Sequence, residues 1–208
     1  MKITPQRLPL RLAAITLAAA SALAVLPGCA PLLVGGAMVG GTMMVLDRRS
    51  SGTQVDDQAI ELKAAVRVRE LGLPAHVNVT SYNRVMLITG EVPREADRQT
   101  IEQQLGRIDA VRSVVNELAV AENSTVGSRT SDSVITSKVK ASFVDARDLQ
   151  VQAAKVVTER GVVYLMGRVT EREATRFADV ARSVEGVRKV VRVFEIISDA
   201  ELAAMQSR

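Results

Sequence analysis

Val85-Met86-Leu87-Ile88-Thr89-Gly90-Glu91-Val92 and Val162-Val163-Tyr164-Leu165-Met166-Gly167-Arg168-Val169 are two copies of one pattern, an apolar run closed by Gly-x-Val. Short runs rich in β-branched residues and bounded by turn residues read as buried strands. The copies lie 77 residues apart. A second matched pair, Ala110-Val111-Arg112-Ser113-Val114-Val115 and Gly186-Val187-Arg188-Lys189-Val190-Val191, lies 76 residues apart, so one copy carries a one-residue indel. The chain therefore holds an internal repeat, over roughly 56–120 and 132–197.

Outward from these strands the two copies read alike. A helix opens behind Asp57 in the first and Ser131/Asp132 in the second, residue types that favour helix N-caps. Ile60, Ala64 and Val68, and likewise Ile135, Val139 and Phe143, recur at i, i+4 and i+8 and mark the inward helix faces. A strand follows, around Val77–Val79 in one copy and at Val151 and Val156-Val157 in the other. The turns Tyr82-Asn83-Arg84 and Glu159-Arg160-Gly161 lead into the repeated strand. Beyond Gly90 or Gly167 comes a charged helix, then a last strand, Val114–Leu118 or Val190–Ile196. The expected fold class is α+β: two tandem αββαβ domains, each with two helices packed on a three-stranded mixed sheet. The expected limits are a signal peptide over 1–28, a lipidated Cys with a flexible tether over 29–55, domain 1 over 56–121, a polar linker over 122–131, domain 2 over 132–197 and a tail over 198–208. Units of about 65 residues are marginal alone, so the copies are expected to pack together.

The strand ending in Gly-x-Val, the charged helix and then Gly-Val-x-x-Val-x-Asn-x-Leu resemble the BON domain. Here they stand as Gly90-Glu91-Val92 and Ala110-Val111-Arg112-Ser113-Val114-Val115-Asn116-Glu117-Leu118. Ala110 replaces the usual Gly, and the second copy keeps Gly186 but has Arg192-Val193-Phe194 in place of Asn-x-Leu. The resemblance covers most of residues 56–197. It implies an outer-membrane lipoprotein that binds anionic phospholipid through its second BON domain, gathers at division sites and supports envelope integrity.

The N-terminus carries Lys2, Arg7 and Arg11, then an uncharged stretch from Leu12 to Val25, the layout of a secretory signal. Leu26-Pro27-Gly28-Cys29 resembles the lipobox of bacterial lipoproteins, with Cys29, the single cysteine of the chain, at the position that is acylated. A thiol is the nucleophile that takes a lipid group. Ala30 rather than Asp follows it, which by resemblance favours the outer membrane, facing the periplasm. Residues 30–46 are uncharged and contain Gly35, Gly36, Gly40 and Gly41, and we read them as a tether rather than a membrane span.

Composition excludes much else. One Cys allows no intramolecular disulfide, and one His, His76, argues against a zinc site. No cofactor or metal is expected. His76 has no catalytic partner adjacent in sequence and reads as a strand-edge residue, and Glu171-Arg172-Glu173 reads as a solvated helix start. No catalytic constellation is present, so the chain is expected not to be an enzyme. Of 27 Lys+Arg and 23 Asp+Glu, three of the basic residues precede Cys29, leaving a processed chain at a net of +1. That balance argues against nucleic acid as partner.

Charge differs between the copies. Residues 56–121 carry 8 basic and 10 acidic side chains, whereas residues 132–197 carry 12 basic and 9 acidic. A positive domain held at a membrane is attracted to anionic headgroups, by roughly 1 kcal/mol per basic residue near the surface. Val134, Ser137, Lys138 and Ala141, flanked by Lys140, form a stripe on the first helix of domain 2, away from its core face. At a helix N-terminus such a stripe suits shallow insertion with headgroup contact. An ordinary solvated face fits these residues equally well, and the BON resemblance tips the reading to lipid. Phosphatidylglycerol or cardiolipin is then the expected partner. The alternative is a protein-interaction module docking on outer-membrane assembly or division machinery.

Overall fold

The computed structural model describes residues 47–206; the expected signal peptide, Cys29 and residues 30–46 lie outside that range. Domain 1 comprises α1 (Ser51–Leu71), β1 (His76–Tyr82), β2 (Val85–Val92), α2 (Glu95–Leu105) and β3 (Ser113–Val120). Domain 2 repeats the order with α3 (Val126–Asp145), β4 (Ala154–Glu159), β5 (Val162–Val169), α4 (Glu171–Arg182) and β6 (Lys189–Ile196). A short helix, α5 (Asp199–Gln206), occupies the stretch read as a tail. In each sheet the repeated strand is central, antiparallel to the strand before it and parallel to the strand after it. The α+β class, the αββαβ order and the mixed three-stranded sheets are as expected.

The central strands are apolar from Val85 to Ile88 and from Val162 to Met166 because both of their faces are covered there. Successive side chains point to opposite faces of a sheet. Met86 and Ile88 of β2 face α1 and α2, in a core with Ile60, Ala64, Ile101 and Leu105. Val163 and Leu165 of β5 face α3 and α4, beside Val139, Phe143 and Phe177. The alternate residues, Val85 and Leu87 of β2 with Val162, Tyr164 and Met166 of β5, join Tyr82 in a third apolar cluster shared by the two sheets. The domains thus stack sheet on sheet, with a helix layer on each outer side.

The helices begin earlier than the sequence suggests. Ser50 caps α1 by accepting from the Thr53 N–H, and Thr125 caps α3 by accepting from the Ser128 N–H. Asp57 and Asp132, read as N-caps, are buried two turns inside the helices. Asp132 accepts from the backbone N–H of Arg160 (2.8 Å) and Gly161 (2.7 Å). Asp57 accepts from Asn83 N (2.8 Å), Arg84 N (2.7 Å) and the Ser81 hydroxyl (2.7 Å). These backbone groups belong to two-residue hairpin turns with left-handed φ at Asn83, Arg84, Arg160 and Gly161. A carboxylate is used because it can take several donors at once, so each aspartate ties its helix to its hairpin. The linker expected over 122–131 is accordingly half helix, and the last part of the expected tether, Ser51 to Val55, belongs to α1.

The glycine of Gly-x-Val is required by close approach. A Cβ on Gly90 would lie 1.9 Å from the His76 carbonyl oxygen, and one on Gly167 would lie 2.1 Å from that of Ala153. Ala110, by contrast, holds φ +70° where its counterpart Gly186 holds +94°. A left-handed backbone costs a non-glycine residue roughly 1–2 kcal/mol. Ala110→Gly is therefore expected to raise stability by about 1 kcal/mol, read as a higher urea midpoint. Asp132→Ala, which orphans the buried Gly161 N–H and the part-buried Arg160 N–H, is expected to lower stability by about 2 kcal/mol in the same assay.

Candidate functional site

The five residues expected to meet lipid lie together on the outer face of α3. Val134 is 50% exposed, and Ser137, Lys138, Lys140 and Ala141 are exposed beside it. Helical spacing extends this face in both directions, to Val126 (78% exposed) and Val144 (65% exposed). Val126 escapes the sequence reading because the helix is expected to open only behind Asp132, whereas Val144 lies inside that helix, three residues past Ala141. Continuing the same period upstream and downstream in the sequence would have found them. The Ser137 hydroxyl donates to the Ser133 carbonyl and adds little at the surface. Lys138 Nζ lies 3.0 Å from Glu185 Oε2, so its charge is already partnered. Lys140 forms no ion pair among the described residues, which makes it the freer cation of the stripe. Val134 sits in the third turn of α3, so the free N–H groups of the helix start do not lie beside it. Cys29 lies outside the described residues. No described helix is long and apolar enough to cross a membrane.

Residues ahead of α1 bind the folded body. The Arg48 guanidinium grips the Glu173 carboxylate through both oxygens, at 2.8 and 2.7 Å, and donates to the Arg168 carbonyl oxygen. Arg49 reaches Asp57 at 2.7 Å and stacks 4.2 Å over the Tyr82 ring. Glu173 is also the capping-box residue of α4, closing on Thr170. It was read as part of a solvated helix start. Its side chain is instead largely covered, and the Arg48 hydrogen bonds hold its carboxyl below the usual carboxylate range. A polar rim surrounds the cluster between the sheets. Glu195 of β6 accepts from Asn83 (2.7 Å) and Arg112 of domain 1 and from Arg168 (3.1 Å). Lys155 of β4 meets Glu61 of α1 at 2.8 Å.

One end of this rim gathers the single histidine with two buried acids. His76 Nδ1 lies 3.2 Å from Glu91 Oε2 and 3.9 Å from Glu159 Oε1. Asn78 donates to Glu159 at 2.8 Å, and the Ser124 N–H donates to Glu91 at 3.1 Å. Burial raises the Glu159 carboxyl against the opposing pull of Asn78 and His76. Sequence reasoning missed this group because its members come from two domains, with Glu159 83 residues beyond His76.

Two αββαβ units joined through their sheets define a class. Residues 56–122 and 131–198 match the BON domain, and the chain belongs to the BON-domain family. It is 34% identical to Outer membrane lipoprotein DolP of Haemophilus influenzae, over 83% of this chain and 90% of that protein. It is 32% identical to the 21 kDa hemolysin of Actinobacillus pleuropneumoniae, over 73% of this chain and 80% of that one. Osmotically-inducible protein Y of Escherichia coli is 28% identical, over 67% of this chain and 72% of its own length.

The Arg48–Glu173 pair carries a pH signature. A carboxyl lowered in the folded state binds fewer protons there than in the unfolded chain, whose glutamate titrates near ~4.3. Its stabilisation is complete above that value and is lost as pH falls through the depressed folded value. Glu159, shifted upward, acts in the opposite sense. Urea unfolding of wild type against Glu173→Gln isolates the pair. The stability difference is expected to be largest at neutral pH and to shrink below about pH 4.

Proposed function

We propose that this chain is a non-enzymatic lipoprotein, anchored in the outer membrane through acylated Cys29 and facing the periplasm. Its second BON domain lays α3 on anionic phospholipid and so supports envelope integrity, with division sites as a place of action. The resemblance of residues 26–29 to a lipobox and the name carried by the Haemophilus influenzae relative support the location. The observation that carries the lipid reading is the outer face of α3. Val126, Val134 and Val144 stand exposed along it with Lys140 at its flank, on the domain that is net positive. Valines exposed in a line are costly in water and gain by shallow insertion among headgroups.

A second reading has its own observation. Val55, Leu62 and Val66 form an exposed apolar line on α1. That helix belongs to the net-negative domain, which suits a protein surface better than an anionic membrane. On this reading the chain also docks on assembly or division machinery of the envelope.

Vesicle flotation separates the two. The chain starting at Asp47, which keeps Arg48 and Arg49, is expected to float with phosphatidylglycerol or cardiolipin vesicles and not with neutral ones. Binding is expected to fall at least several-fold in Val134→Asp/Val144→Asp and in Lys140→Glu, and to weaken as salt shortens the Debye length. Flotation unchanged in these variants, or lost only in Leu62→Asp, would refute the α3 assignment.

A further inference from the structure

The acids at the domain seam lack a sufficient counter-charge. Glu91 is fully buried, and its Oε1 accepts no hydrogen bond. Glu159 is nearly as buried, and its carboxylate lies close enough to share one ligand with Glu91 and His76. Two buried carboxylates held together repel, and each has given up hydration. The neighbouring cation is the Arg160 guanidinium, 3.7 Å from Glu91 Oε1, beyond hydrogen-bonding distance and on a partly exposed side chain.

We propose that His76, Glu91 and Glu159 bind one divalent transition-metal ion, with Zn2+ the best match, clamping domain 1 to domain 2. One ligand atom from each residue can be chosen so that all three lie within 4.8 Å of one another. Two ligands ~2.1 Å from a tetrahedral ion lie ~3.4 Å apart. The observed 3.2 Å and 3.9 Å from His76 Nδ1 to the two glutamates bracket that value. The single histidine argues against zinc only while nitrogen and sulfur ligands alone are counted; two carboxylates supply the remaining protein ligands here and leave a coordination position for water. Outer partners fix the ligands. Asn78 holds the second oxygen of Glu159, and the Ser124 N–H holds Glu91 from the interdomain segment. Without the ion, Nδ1 carries the imidazole proton toward Glu91 and Nε2 faces the Asn78 amide nitrogen at 3.4 Å; binding the ion at Nδ1 moves the proton to Nε2 and turns the second Asn78 N–H aside. Arg160, on the far oxygen of Glu91, opposes the ion and swings outward when it binds. Because Glu91 and His76 come from β2 and β1 and Glu159 from β4, an ion here cross-links the two sheets at their edge. This assignment is independent of whether α3 meets lipid.

The test uses the processed lipoprotein in detergent, purified without a histidine tag and stripped with a chelator. Calorimetric titration with ZnCl2 is expected to show one ion per chain. His76→Gln and Glu159→Gln should each weaken binding at least tenfold. Arg160→Asn should tighten it, since asparagine tolerates the left-handed backbone at that position. X-ray absorption of the zinc-loaded wild type is expected to show one imidazole among oxygen donors. His76 is the only histidine in the chain, so that signature identifies the site even where a variant fails to fold. Absence of saturable uptake, a zinc shell without imidazole, or unchanged affinity in both glutamine variants would overturn the proposal.

Discussion

The apolar contact between the two sheets is the constraint on which the rest of this structure depends. A domain of this size buries too little surface to be comfortable alone, and here each supplies the other with a second covered face. Leu87 and Tyr82 of one domain meet Tyr164 and Met166 of the other in one apolar cluster. Fully burying such a side chain contributes about 1.5–3 kcal/mol. The contact also dictates where function can lie. With the sheets turned inward, the helix layers are the outermost surfaces, on opposite sides of the molecule. A planar bilayer can therefore lie against α3 or against α1, but not against both. The opposite charge of the two domains favours α3 for an anionic surface.

Polar groups around the cluster fix the register of the two domains and tie in the chain that leads toward Cys29. Arg48 clamps Glu173 of domain 2, while Arg49 clamps Asp57 of domain 1. The segment entering the folded body is thus held by both domains at once. An anchor upstream of Asp47 would pull on the pair as a unit, and reorientation at the membrane would move both domains together.

Much of the fold was legible in the sequence because its signals are periodic or positional. The twin runs ending in Gly-x-Val revealed the repeat, and Ile60, Ala64, Val139 and Phe143 marked the helix cores. The glycine itself has a direct cause, the carbonyl oxygen pressed against its α-carbon. Helix starts were misread for an equally physical reason. Aspartate caps helices well, but Asp57 and Asp132 use the same acceptor capacity on the hairpin turns, a contact that spans 26 to 29 residues. That error hid Val126 and placed Val134 near free N–H groups that lie two turns away. The His76, Glu91 and Glu159 group was illegible because no local pattern joins residues contributed by two domains. The five residues chosen for lipid contact do share one exposed face, but Lys138 spends its charge on Glu185, a pairing no sequence window shows.

The claim that α3 is the membrane-facing layer is tested most directly by nitroxide labels on the chain starting at Asp47, one at position 134 and one at position 62, mixed with phosphatidylglycerol vesicles. The account requires the label at 134 to become shielded from water-soluble relaxation agents while the label at 62, on the opposite layer, stays accessible. A label at 62 that enters the lipid while 134 remains in water would contradict it.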